Sequence, residues 1–121
     1  MTAVFADIAA CLEKLAKSGG EGETALDCLA ELDGLVTSPG LSSYSLIEFD
    51  WTTWRPWPEY LSGARKISAA GLHDALRVGV AMLRQERFVE GTITGMVQSG
   101  KIGELAGVFR RAVISGQSPP L

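Results

Sequence analysis

The sequence has few residues of the kinds that catalysis and metal binding require. Among its 121 residues there is one histidine, His73, and there are two cysteines, Cys11 and Cys28. Any pairing of a nucleophile with a histidine base would depend on His73, which is predicted to lie beside Asp74 on the exposed side of a helix. Neither cysteine belongs to a C-x-x-C spacing, and structural metal sites need several ligands. The sequence therefore predicts no catalytic residue, no metal and no cofactor.

The sequence also lacks a long apolar run and an excess of basic residues. No run approaches the roughly 18 residues of a membrane span, and the first residues do not show the basic-then-apolar order of a secretion signal. The net charge is −3 and the isoelectric point is near 5.1, whereas a nucleic-acid-binding domain is usually basic. We therefore expect a cytoplasmic protein that contacts no membrane, and nucleic acid is disfavoured as a partner.

The two halves of the chain differ in charge. Residues 1–60 contain three Lys and Arg against ten Asp and Glu, and residues 61–121 contain eight against four, so the halves carry −7 and +4. Such a division indicates either that the halves attract one another or that the surface is dipolar and steers a charged partner.

Apolar residues recur at helical spacing along most of the chain. They predict helices over residues 3–17, 24–36, 69–88, 89–99 and 102–114, the long one capped by Ser68. The first two should form an antiparallel hairpin that places Cys11 level with Cys28. We expect an all-α fold, a compact bundle of about five helices, with one domain over residues 1–115 and a flexible tail over 116–121.

The second predicted helix carries three carboxylates at successive i+4 positions: Glu23, Asp27 and Glu31. This acidic stripe (Glu23, Asp27, Glu31) is typical of a solvated helix face. It would also suit docking by a basic partner, and the sequence leaves both interpretations open.

All three tryptophans lie in the aromatic segment, residues 49–60. Asp50 should cap a turn, Pro56 should stop it, and Pro58 should begin another short helix that follows. Since three tryptophans do not easily enter one small core, Trp51 and Trp54 are expected to pack inward. Trp57 and Tyr60 are expected to be partly exposed.

A structural clamp is predicted between the long helix and the aromatic segment. Arg87 lies at the border of the helix's apolar face, close to Glu90 in sequence, and a carboxylate such as Glu48 or Asp50 could pair with it. The alternatives for Arg87 are ligand binding and catalysis.

Two stretches resemble a known family. RQERFVEG at 84–91 is similar to its R-x-D-R-F-x-x-G element, with Glu86 for the usual aspartate and Val89 where several members have cysteine. FDWTTW at 49–54 is similar to its F-D-W-x-x-W segment. The family is domain-of-unknown-function family 6508, small uncharacterised bacterial proteins, and the resemblance covers about residues 46–113. It implies a helical fold and a bacterial or mobile-element origin, and it supplies no activity.

Two functions are compatible with these patterns. The first is a non-enzymatic bacterial or phage interaction module that binds another protein, with inhibition of a host system as one form of it. Its surface would be Trp57 and Tyr60 flanked by Arg55 and Arg84, or else the acidic stripe, and a homo-oligomer is left open. The alternative is a small enzyme or ligand-binding protein with a pocket between the aromatic segment and the Arg84/Arg87 helix, where Asp50, Arg87 and Glu90 would converge.

Overall fold

The computed structural model describes residues 3–20, 22–37, 41 and 49–115. In these ranges the chain forms α-helices and 3₁₀ turns, among them Ile67–Ala69, and it contains no strand. The six α-helices are α1 (Ala3–Lys17), α2 (Gly22–Val36), α3 (Pro56–Ser62), α4 (Leu72–Glu86), α5 (Thr92–Gln98) and α6 (Lys101–Ile114). The all-α prediction is confirmed. The tail predicted at 116–121 lies outside the described residues.

Helix α1 occupies the centre of the fold. Its apolar residues Phe5, Ile8, Leu12 and Leu15 are fully buried, and the helix packs against both α2 and α6. The ring centroids of Phe5 and Phe109 lie 6.2 Å apart across the contact with α6. The predicted α1–α2 hairpin is therefore present. One hydrophobic core takes in buried residues from Phe5 to Ala112.

Helix α4 begins later than predicted, at Leu72. The preceding residues form the 3₁₀ turn, and Ala70 and Gly71 are extended. Ser68 does not cap α4, because side chains of α6 hold its backbone: its N–H donates to Glu104 (3.3 Å) and its carbonyl accepts from Arg111 (2.6 Å). None of the described helices has the length and apolar character needed to cross a membrane.

Ion pairs join the acidic and basic halves of the chain. Arg110 of α6 makes a bidentate pair with Glu13 of α1, with nitrogen–oxygen distances of 3.0 and 2.6 Å. This hydrogen-bonded guanidinium lowers the pKa of the Glu13 carboxyl. Arg87 lies 3.9 Å from Asp33 of α2. These contacts support the interpretation that the two halves attract one another.

The two cysteines are buried free thiols on the facing helices α1 and α2. Burial, together with the nearby Glu31 and Cys28, raises the pKa of Cys11 to about 12. The effect of Cys28 on Cys11 agrees with the predicted level placement of the two thiols across the hairpin. Since the thiolate is the reactive form, Cys11 is not arranged as a nucleophile.

The turn between α1 and α2 packs directly on α5. Gly19 and Gly20 both have positive φ, 77° and 81°. A Cβ at Gly20 would meet the Thr94 Cα and a Val97 methyl carbon at 3.1 Å each, whereas one at Gly19 would meet nothing within 4 Å. The Thr94 hydroxyl donates to the Gly20 carbonyl (3.4 Å). The hairpin therefore depends on a bare backbone at Gly20.

These two glycines provide a matched test of that contact. Both alanine variants bear the backbone strain of a side chain at positive φ, about 1–2 kcal/mol. Gly20→Ala should lose about 1–3 kcal/mol more from overpacking against α5. Urea unfolding of Gly19→Ala and Gly20→Ala measures the difference directly. Equal losses would show that the turn does not press on α5.

Candidate protein-binding surface

Helix α3 carries the buried part of the aromatic segment. Pro56 is its first residue, where the missing N–H of proline does no harm, so Pro56 begins this helix rather than stopping a turn. Trp57 and Tyr60 are one helical turn apart and so share the face that packs against α4. Only 3% of Trp57 and 2% of Tyr60 is exposed. The prediction that these two residues are partly exposed is wrong.

Helix α4 supplies a partner for the polar atom of each buried ring. The Trp57 indole N–H donates to the Gln85 side-chain oxygen at 2.7 Å. The Tyr60 hydroxyl donates to Asp74 at 2.8 Å, and burial together with that carboxylate raises the pKa of Tyr60 to about 12. Because both polar atoms are satisfied, the rings can enter the core. Trp51 and Trp54, which were expected to pack inward, are half-buried.

The clamp between α4 and the aromatic segment uses Arg84, not Arg87. The Arg84 guanidinium donates to the Phe49 carbonyl at 2.7 Å. Arg77, two turns earlier on the same helix face, places its guanidinium carbon 5.1 Å from the centroid of the Phe49 ring. The aromatic segment thus covers the face of α4 that carries Arg77 and Arg84. Because the aromatic segment lies over it, Arg84 is half-buried, whereas the predicted binding surface required it to be exposed.

The other predicted members of the clamp lie apart. Arg87 follows the end of α4, where its exposed side chain turns to Asp33. The Asp50 carboxylate accepts from the Thr52 backbone N–H (3.0 Å) and hydroxyl, which closes the predicted turn and lowers the pKa of Asp50. Glu90 is exposed on the turn before α5, and Glu48 lies outside the described residues. The predicted Arg87 clamp is therefore wrong.

The turn between α4 and α5 is held by the last residues of α4. The Glu86 carboxylate accepts from the backbone N–H of Gly91 (2.9 Å) and of Ile93 (2.8 Å). The Gln85 side-chain amide donates to the Thr92 hydroxyl at 3.2 Å. Gly91 has a φ of 91°, which favours glycine. The turn is thus a fixed structure rather than a loose connection.

This fixed turn presents two apolar side chains to solvent. Phe88 is 79% exposed and Val89 is 54% exposed. The Phe88 ring stacks on Trp51, with centroids 6.3 Å apart and an interplanar angle of 26°. We call Trp51, Phe88 and Val89 the aromatic patch. The sequence placed Val89 inward on a helix, but α5 begins only at Thr92.

A cleft borders the turn on its other side. The α2–α5 cleft has a volume of about 480 Å³, and its walls come from the α1–α2 turn, α2, the end of α4 and α5. Leu26, Leu29 and Ile93 give it apolar surface, and Glu86 and Glu90 give it negative charge. Leu26, assigned by its spacing to the apolar face of α2, is 68% exposed. No basic side chain is among the described residues that line the cleft.

The predicted binding residues fall into separate regions. The acidic stripe is exposed along α2, and none of its three carboxylates is among the described residues that line the cleft. Arg55 is exposed, but its intended neighbours Trp57 and Tyr60 are buried, so the predicted basic–aromatic surface does not assemble. Asp50, Arg87 and Glu90 were expected to converge in a pocket, but of these three only Glu90 lines the cleft.

Among the residues that the structure describes, no three His, Cys, Asp or Glu side chains are placed to hold a metal ion. His73 is exposed on α4. The aromatic patch and the cleft were not found from the sequence, although Phe88 belongs to one of the family-like elements and was a signal for the patch.

The chain belongs to DUF6508, a family of unknown function, whose sequence model matches residues 40–113. The resemblance noted in the sequence is confirmed. A search of curated proteins gave no match, and neither did a search of solved structures.

The structure gives physical roles to the residues that resemble the family's two elements. Arg84 binds the Phe49 carbonyl, Glu86 accepts the amides of the turn, and Gly91 takes the positive φ that the turn requires. Phe88 stacks on Trp51. The two stretches therefore meet in space, as the sequence interpretation expected, through contacts that it did not identify.

Measuring the stability of alanine variants tests whether Arg84, and not Arg87, forms the clamp. Arg84→Ala removes a charged donor from a half-buried carbonyl and should cost about 1.5–3 kcal/mol. Arg87→Ala removes an exposed pair and should cost less than about 1 kcal/mol. Denaturant unfolding followed by tryptophan fluorescence compares them. A larger loss for Arg87→Ala would restore the clamp predicted from the sequence.

Proposed function

We propose that this family member is a non-enzymatic protein-interaction module that binds its partner through the aromatic patch. The observation that carries the proposal is the 79% exposure of Phe88 on a turn that hydrogen bonds hold in place. Clustered exposed apolar residues mark interaction sites more often than single scattered ones do.

The construction of the turn supports this role. Hydrogen bonds from Gln85 and Glu86 fix the segment that leads into α5, and Trp51 supports the Phe88 ring from below. A side chain already ordered before binding loses less conformational entropy when a partner covers it. An aromatic ring with a rigid base is the type of residue that contributes most to protein interfaces.

The proposal also covers the origin of the protein and the compartment in which it binds its partner. A bacterial or phage protein in the cytoplasm, acting on a host component, is one form of it. The free thiols Cys11 and Cys28 support a reducing compartment. An interaction module of this kind needs no catalytic group.

Photocrosslinking in the native host tests the proposed surface. Phe88 is replaced by the photoreactive benzoylphenylalanine, and Ile114, an equally exposed apolar residue at the end of α6, is the matched control position. We expect a discrete adduct with another protein from position 88 and none from position 114. Adducts from neither position, or the same adducts from both, would contradict the proposal.

The captured partner then allows a quantitative comparison. Phe88→Ser should weaken its binding by about tenfold or more, as loss of an interface anchor does. Ile114→Ser should change affinity less than about twofold, since surface changes outside an interface have small effects. Calorimetry measures both, and unchanged thermal unfolding of the variants excludes misfolding as the cause.

A further inference from the structure

We infer that the α2–α5 cleft binds a basic peptide segment of the partner, with an apolar side chain beside Leu26 and Lys or Arg side chains against the surrounding carboxylates. This inference rests on the proposed function and specifies the partner's chemistry. It concerns the cleft, whose lining residues are not those of the aromatic patch, so each proposal can be tested with its own variants.

The cleft has room for an apolar side chain beside Leu26. Its volume of about 480 Å³ lies within the range of ligand sites. Leu26 is 68% exposed at its edge, whereas Ala25 and Ile93 are buried at 2% each. Gly22, Gly91 and Gly95 line the cleft without side chains that would fill it. An apolar side chain entering here would cover Leu26.

The charge around the cleft determines the sign of the occupant. Glu86 and Glu90 line it, whereas Glu23 and Asp27 are exposed on α2 but are not among the lining residues. The described basic residue nearest in sequence to the lining residues is Arg87, which lies 3.9 Å from Asp33 of α2. Two lining carboxylates, with no basic side chain among the described lining residues, would steer a positively charged segment toward the cleft and repel an acidic one.

The apolar component distinguishes a peptide from a simple cation. A metal ion or polyamine would be attracted by the same carboxylates but would gain nothing from covering Leu26. Among the described residues the carboxylates form no cluster of metal-binding geometry. Continuity with the aromatic patch also favours a polypeptide, because the turn that bears Phe88 and Val89 contributes Glu90 and Gly91 to the cleft wall.

A peptide-display selection tests this inference without knowledge of the natural partner. Random peptides of about twelve residues are selected on the intact protein. The leading sequences are synthesised, and their affinities are measured by fluorescence anisotropy at low and high salt. We expect enriched peptides that carry Lys or Arg around a large apolar residue, and affinity that falls as salt rises.

Matched double variants locate the binding. Leu26→Ser with Glu90→Gln removes the exposed leucine and one carboxylate of the cleft, and Ile114→Ser with Asp7→Asn removes an exposed apolar side chain and one carboxylate elsewhere. Asp7 is exposed on α1, about 15 Å along the helix from its last residue, Lys17, at 1.5 Å per residue. The cleft variant should weaken peptide binding at least about tenfold. The control variant should weaken it less than about twofold, because its changes are remote.

The outcomes separate this inference from the proposed function. Absence of an enriched basic pool, equal effects of the two double variants, or displacement by spermidine at the same concentration as by peptide would overturn the inference. Loss of peptide binding in Phe88→Ser but not in the cleft variant would overturn it while supporting the aromatic patch. Loss in the cleft variant, with no crosslink from position 88, would support the cleft and contradict the patch.

Discussion

The end of helix α4 organises the rest of the candidate surface. Three consecutive side chains, Arg84, Gln85 and Glu86, leave the helix in directions about 100° apart because an α-helix has 3.6 residues per turn. Arg84 reaches the carbonyl of Phe49, Gln85 joins Trp57 to Thr92, and Glu86 accepts the amides that begin α5. One helix end thereby fixes the aromatic segment, the exposed turn and a wall of the α2–α5 cleft.

The exposed turn is a consequence of this arrangement. Helix α4 ends at Glu86, whose carboxylate accepts the N–H of Gly91, a residue with positive φ, and the chain turns into α5 over the residues between them. Phe88 and Val89 are left outside, and the half-buried ring of Trp51 supports one of them. An exposed phenylalanine in this position is therefore part of a rigid structure, and this rigidity connects the fold to the proposed binding role.

The carboxylates of the acidic half of the chain lie in two kinds of surroundings. Some of them hold the fold together, because Glu13 and Asp33 of the acidic half meet Arg110 and Arg87 of the basic half. Others, those of the acidic stripe on α2, lie in solvent. The negative charge of the α2–α5 cleft comes instead from Glu86 and Glu90 of the second half.

Periodicity alone was sufficient for the helices that form the core. The bounds of α1 and α6 were predicted within a residue, since buried apolar residues recur at helical spacing along both helices. The α3–α4 contact could not be predicted, because Trp57 and Tyr60 find their partners Gln85 and Asp74 only in tertiary structure. The same reason explains the exchange of Arg84 and Arg87, whose exposure depends on where the aromatic segment crosses α4.

The central claim is that Glu86 holds the turn that presents the aromatic patch. Amide hydrogen exchange of Glu86→Ala tests it most directly, with Glu90→Ala as a control that removes the same charge from an exposed neighbour. Protection at Gly91 and Ile93 should fall in Glu86→Ala alone, while the amides of α1 and α6 keep theirs. Unchanged protection at those two amides, or the same loss in both variants, would contradict the account.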